Sequence, residues 1–99
     1  MAVSVSTHIL DTEVGEPVGG VKVALYQGGE LISLQETDAD GRVANLFERD
    51  FRPGEYRLVF HIDTGFFEKV ELTIALLEER HYHVPLLVSS YACASYRGS

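Results

Sequence analysis

The sequence predicts an all-β protein, a two-sheet antiparallel β-sandwich of seven or eight strands built as a single domain over 1–99. Three observations carry this. Apolar and polar residues alternate in short runs, the period-2 pattern of a half-buried strand. Turn residues interrupt the runs roughly every 8–14 positions, close to the spacing of sandwich strands. Good helical windows are few. The length, 99 residues, is that of one small domain with one modest core.

The elements follow in order. Val3, Val5, Thr7 and Ile9 alternate with Ser4, Ser6, His8 and Leu10 in a first strand. Residues 13–20 contain three glycines and a proline and form a loop. Val21, Val23 and Leu25 make a second run, closed by Gly28 and Gly29. Ile32 and Leu34 lie in a third, ended by Asp38-Ala39-Asp40-Gly41, a strong turn signal. Arg52-Pro53-Gly54 turns the chain again. Tyr56, Leu58, Phe60 and Ile62 then alternate up to the Asp63-Thr64-Gly65 turn. Val70, Leu72, Ile74 and Leu76 alternate next. Leu76 to Arg80 has helical propensity, but the alternation before it and Thr73 favour a strand running into a turn. His81 to Ser89 is a further strand, with Tyr82, Val84, Leu86 and Val88 on one face. Tyr91 to Arg97 is a short last one.

Bulk composition excludes several function classes. Eight basic residues against fifteen acidic give a net charge of −7. Nucleic acid and anionic membranes both need a positive footprint, so neither is an expected partner. Cys93 is the single cysteine, which excludes a disulfide-stapled scaffold. The N-terminus shows no basic segment followed by an apolar one, and no apolar run nears the roughly eighteen residues of a membrane span. A cytoplasmic protein is the expectation. An acidic chain this small has little material from which to build an active site.

The histidines are the informative residues. His81 and His83 are two apart in a strand, so both point to one face, opposite Tyr82 and Val84. His8 lies on the Ser4 and Ser6 face of the first strand. If the apolar faces fill the core, all three imidazoles project outward. Three readings stay open: solvated surface histidines, a three-histidine zinc site, or metal-free acid–base chemistry at a group titrating near neutrality. His61 has no evident role. Asp38-Ala39-Asp40-Gly41 resembles the start of a calcium loop, but Arg42-Val43-Ala44-Asn45 supplies none of the later ligands, so a plain turn is expected. Arg42, just after it, is either a surface cation or an anchor for an anionic or carbonyl-rich ligand. Cys93 has no activating basic neighbour in its strand and is read as a small core or interface residue. The chain ends Tyr96-Arg97-Gly98-Ser99 directly after a strand. Gly98 would let the backbone turn sharply there and place the terminal carboxylate.

Four segments resemble the signatures of the 5-hydroxyisourate hydrolases, transthyretin-like enzymes of purine catabolism. These are Thr7-His8-Ile9-Leu10-Asp11, Thr37-Asp38-Ala39-Asp40-Gly41-Arg42, His81-Tyr82-His83-Val84-Pro85-Leu86-Leu87 and Tyr96-Arg97-Gly98-Ser99. The stretch from Gly15 to Tyr56 is weakly specific, whereas the histidines and the Tyr-Arg-Gly-Ser ending are specific together. Transthyretin itself, a hormone carrier, lacks both. The resemblance implies a transthyretin-like sandwich and a homotetramer, a dimer of dimers with its sites in a channel between the dimers. It implies His8, Arg42, His83 and Ser99 as catalytic residues and Tyr96, Arg97 and Gly98 as substrate-binding residues. It implies hydrolysis of a ring C–N bond of 5-hydroxyisourate, giving 2-oxo-4-hydroxy-4-carboxy-5-ureidoimidazoline, with no metal or cofactor. The alternative on the same sandwich is a non-enzymatic small-ligand carrier or interaction module.

Two departures from the family pattern are visible. About ten residues, including a short helix, are usual between the Asp-Thr-Gly turn and the paired aromatics. Here Gly65 runs directly into Phe66-Phe67, so the helix is expected to be shortened or absent. Ser90 stands where the family usually has Pro, and Ala92, Cys93 and Ala94 fall among its usual Ser, Tyr and Thr.

Overall fold

Alternating side chains and glycine-bearing turns leave this chain one regular option, the extended strand. The computed structural model describes residues 3–98, and they contain ten strands and no helix. These are β1 (Ser4–Asp11), β2 (Glu16–Pro17), β3 (Lys22–Gln27), β4 (Glu30–Glu36), β5 (Arg42–Val43), β6 (Gly54–His61), β7 (Val70–Leu76), β8 (His81–His83), β9 (Leu86–Val88) and β10 (Cys93–Ser95). They form two sheets. One is four-stranded in the order β4-β3-β6-β7. In the other, β10, β9, β1 and β2 lie side by side, and β5 and β8 also pair with β1.

The four-stranded sheet is antiparallel throughout. The other is mixed, because β8 and β9 run parallel to β1. The expected single strand from His81 to Ser89 is split at Val84-Pro85, since proline has no N–H to give a ladder. The register does not slip at the break: Ser6 faces His83 before it, and Ile9 faces Leu86 after it. Thr7 bridges the gap, its buried hydroxyl donating to the Val84 carbonyl at 2.7 Å. The last strand is shorter than the alternation suggests and covers only Cys93–Ser95.

The core lies between the sheets. Val5 and Ile9 of β1, Tyr82 of β8 and Leu86 of β9 meet Val23, Leu25, Tyr56, Leu58 and Phe60 from β3 and β6. Each of these side chains contributes about 1.5–3 kcal/mol by leaving water. β4 breaks the simple pattern. Ser33 is buried opposite Leu25 and Leu34 is half exposed, and a register irregularity just beyond that pair, between Leu25 and Tyr26, lets Ile32 pack against the core as well. One bulged residue is enough to turn a strand's faces over.

The link between β6 and β7 is a tight turn and not a helix. The Thr64 hydroxyl accepts from the Phe67 N–H at 2.9 Å and donates to the Ser90 carbonyl at 3.0 Å. Cys93 is half-buried against the core, and burial raises its thiol pKa. That is the setting of an inert cysteine.

Candidate active site

The site forms where β1 meets two partners on its outer face. Val5, Thr7 and Ile9 are buried, so the alternation turns Ser4, Ser6 and His8 outward. On β8, Tyr82 is buried, and His81 and His83 share the outer face. β5 lies on the other side of β1, with Arg42 directly opposite His8. His83 is directly opposite Ser6. Ser6 and His8 stand about 7 Å apart along the strand. Three adjacent strands therefore bring His8, Arg42 and His83 to one patch of one sheet, as the sequence suggests.

A glycine turn sets the position of Arg42. The Asp38 carboxylate accepts from the backbone N–H groups of Asp40 and Arg42, at 2.9 and 3.0 Å. Gly41 has φ of 73° and packs so tightly that a Cβ there would lie 2.6 Å from the Ile9 carbonyl oxygen. A side chain is excluded both by the left-handed backbone and by this contact. The Asp38–Gly41 segment is thus the plain turn expected, with the carboxylate spent on its own backbone.

A cleft of about 430 Å³ opens on this patch, lined by Ser6, Thr7, Asp38, Arg42, Val43, Ala44, His81 and His83. The side chains of His8 and Arg42 make no hydrogen bond within the described residues, so both are free to meet a ligand. His83 is different. Its Nδ1 lies 2.8 Å from the Ser6 hydroxyl, which leaves Nε2 unbonded among the described residues. Burial holds its pKa below the ordinary imidazole value, and His81, Arg42 and His8 push it the same way. His83 is therefore a neutral imidazole at neutral pH, able to accept a proton. Among the described residues, no three His, Cys, Asp or Glu side chains are grouped to hold a metal ion.

The C-terminal segment splits between two places. Gly98 pairs with His83: its N–H donates to the His83 carbonyl at 2.7 Å. A Cβ on Gly98 would lie 2.7 Å from Cδ2 of the His83 ring. Close approach, not a left-handed turn, is what requires glycine here, since Gly98 has no positive φ. Tyr96 and Arg97 instead line a separate groove with Leu72, Ile74, Leu77 and Tyr82. Ser99 lies outside the described residues.

Sequence reasoning passed over Ser4 and Ser6 as functional groups and gave His81 no role of its own beyond the shared histidine readings; the two hydroxyls are bonded to His81, and Ser6 also to His83. The usable signal was the shared outward parity of Ser4, Ser6 and His8. The parallel β1–β8 register that joins them to the second histidine pair was not readable.

Known proteins resemble the chain over nearly its whole length. The model of the HIUase/Transthyretin family matches residues 5–98. The chain is 39% identical to a Mesorhizobium japonicum protein named 5-hydroxyisourate hydrolase, an alignment covering 95% of this chain and 90% of the relative. It is 42% identical to the Salmonella typhimurium protein of the same name, covering 95% and 79%. The Mesorhizobium alignment runs over 112 positions, more than this chain contains, so that relative carries residues this chain lacks. Among solved structures, Klebsiella pneumoniae 5-hydroxyisourate hydrolase superposes with a TM-score of 0.89 at 32% identity, covering all of both chains. Sea bream transthyretin in complex with thyroxine superposes with a TM-score of 0.87 at 30% identity, covering 96% and 94%. The chain therefore belongs to the HIUase/Transthyretin family.

Proposed function

We propose that this protein is a 5-hydroxyisourate hydrolase of urate catabolism, opening a ring C–N bond to give 2-oxo-4-hydroxy-4-carboxy-5-ureidoimidazoline. The observation that carries this is the convergence of His8, Arg42 and His83 on one patch of the outer face, beside a cleft that Arg42 and His83 line. Two imidazoles beside a guanidinium suit acyl hydrolysis, and a passive carrier has no need of them. In the mechanism, one neutral imidazole takes a proton from water as the water attacks the ring carbonyl. Arg42 stabilises the developing oxyanion. The second imidazole protonates the departing nitrogen. Protein groups and water suffice for each step.

A homotetramer built as a dimer of dimers completes the site. β7 and β10 are free sheet edges, and Leu77 and Tyr96 beside them are exposed. Such edges and apolar side chains favour a second copy. The outward cleft would then be roofed by another subunit, which excludes water and strengthens each polar contact. Tyr96, Arg97, Gly98 and Ser99 would line substrate in that assembly.

The test is direct. 5-Hydroxyisourate made from urate by urate oxidase should disappear faster with this protein than by its spontaneous decay, and equally fast after chelator treatment. Decay at the spontaneous rate would remove the enzyme reading and leave the small-ligand carrier. Loss of activity with chelator and recovery with zinc would overturn the metal-free mechanism.

A further inference from the structure

One hydrogen-bonded row on the outer face is not used by the mechanism above. The Ser4 hydroxyl contacts Nδ1 of His81. The Ser6 hydroxyl lies 2.9 Å from Nε2 of His81 and 2.8 Å from Nδ1 of His83. β1 supplies both hydroxyls and β8 both rings, and the parallel register puts Ser4 opposite His81 and Ser6 opposite His83.

We infer that Ser6 and His81 are positioning residues for His83, forming a hydroxyl–imidazole row that fixes the His83 tautomer with its proton on Nδ1 and its lone pair on Nε2. The inference rests on the hydrolase reading for its catalytic meaning, but not for its geometry. The Ser6 hydroxyl has one proton and two lone pairs, so it donates to at most one of the two rings. With His81 neutral, Ser6 accepts the Nδ1–H of His83 and donates to Nε2 of His81, whose own Nδ1–H goes to Ser4. Nε2 of His83 is then the free base. Gly98 packs on Cδ2, the neighbouring ring atom, and keeps the ring from turning away.

His8 from β1, Arg42 from β5 and Asp38 from the turn also lie near His83, and none of them bonds to Nδ1.

The experiment uses the whole protein with ¹⁵N-labelled histidine. Nitrogen shifts of neutral His83 should report the Nδ1–H form in wild type and in Ser6→Thr. Ser6→Ala should give mixed tautomers, a kcat lowered about tenfold, the value of one modest hydrogen bond, and an unchanged KM. Ser6→Thr should restore kcat. His81→Ala should likewise give mixed tautomers, because it removes the acceptor of the Ser6 proton. An Nε2–H form in wild type overturns the inference, as does Ser6→Ala with wild-type rate and shifts, or a loss that Ser6→Thr fails to restore. A protein without hydrolase activity but with the Nδ1–H form would refute the function and leave the row intact.

Discussion

His83 carries more of the chemistry than its neighbours because its two nitrogens differ: one is held by Ser6 and the other is unbonded among the described residues. Replacing His83 with Ala should lower kcat by about 10²–10⁴, the usual worth of a positioned acid–base group. The fold should survive, since the ring lies on the outer face; circular dichroism and melting check this. The pH profile follows from the same residue. Burial first, then the charges of His81, Arg42 and His8, hold its pKa below the ordinary imidazole value. Its neutral form therefore persists below the pH at which a free imidazole would titrate. Activity should be flat near neutrality and fall only as pH drops through the depressed value, measured as kcat/KM against pH. The same shift has a stability consequence. The unfolded chain binds the His83 proton more readily than the native one, so stability falls as pH falls through the same window. His83→Asn should flatten that dependence in denaturant titrations.

At the scale of elements, the active-site residues stand on strand and turn backbone that leaves them little freedom. Arg42 is aimed by the Asp38–Gly41 turn. Gly41→Ala should destabilise by about 1–3 kcal/mol, because φ of 73° and the 2.6 Å approach to Ile9 both exclude a methyl group. Urea unfolding would measure the loss, and the remaining folded protein should turn over slowly, with Arg42 displaced. Gly98→Ala should behave otherwise. Its Cβ would strike the His83 ring, yet residues 96–98 add no side chain to the core. Activity should fall several-fold with the melting temperature nearly unchanged. Much of this level was readable in the sequence: the period-2 runs gave the strands, and Asp-Ala-Asp-Gly gave the turn. The burial of Ser33 and the exposure of Leu34 were not, because they depend on how β4 pairs with β3.

At the scale of the whole molecule, the net charge of −7 describes the surface and not the site. The cleft gathers Arg42 and imidazoles, with Asp38 turned to its own backbone. Small size and an outward-facing site both point to assembly. Light scattering should give a particle of four 11.0 kDa chains. A charge placed in the groove beside β7, as in Leu77→Glu, should shift that particle toward smaller species. Catalysis should then fall with dissociation while the His8, Arg42 and His83 cluster stays intact.

Local patterns along the chain account for the sandwich, the outward parity of His8, His81 and His83, the turn before Arg42 and the absence of a helix after Gly65. Each is a local property: side-chain period, turn chemistry or chain length. Long-range packing sets the rest: β8 and β9 run parallel to β1, Ser6 lies between two imidazoles, and Gly98 touches one ring while Tyr96 and Arg97 reach a different groove. The first two depend on pairing between residues more than seventy positions apart in sequence, and no local pattern encodes the register at which such strands meet.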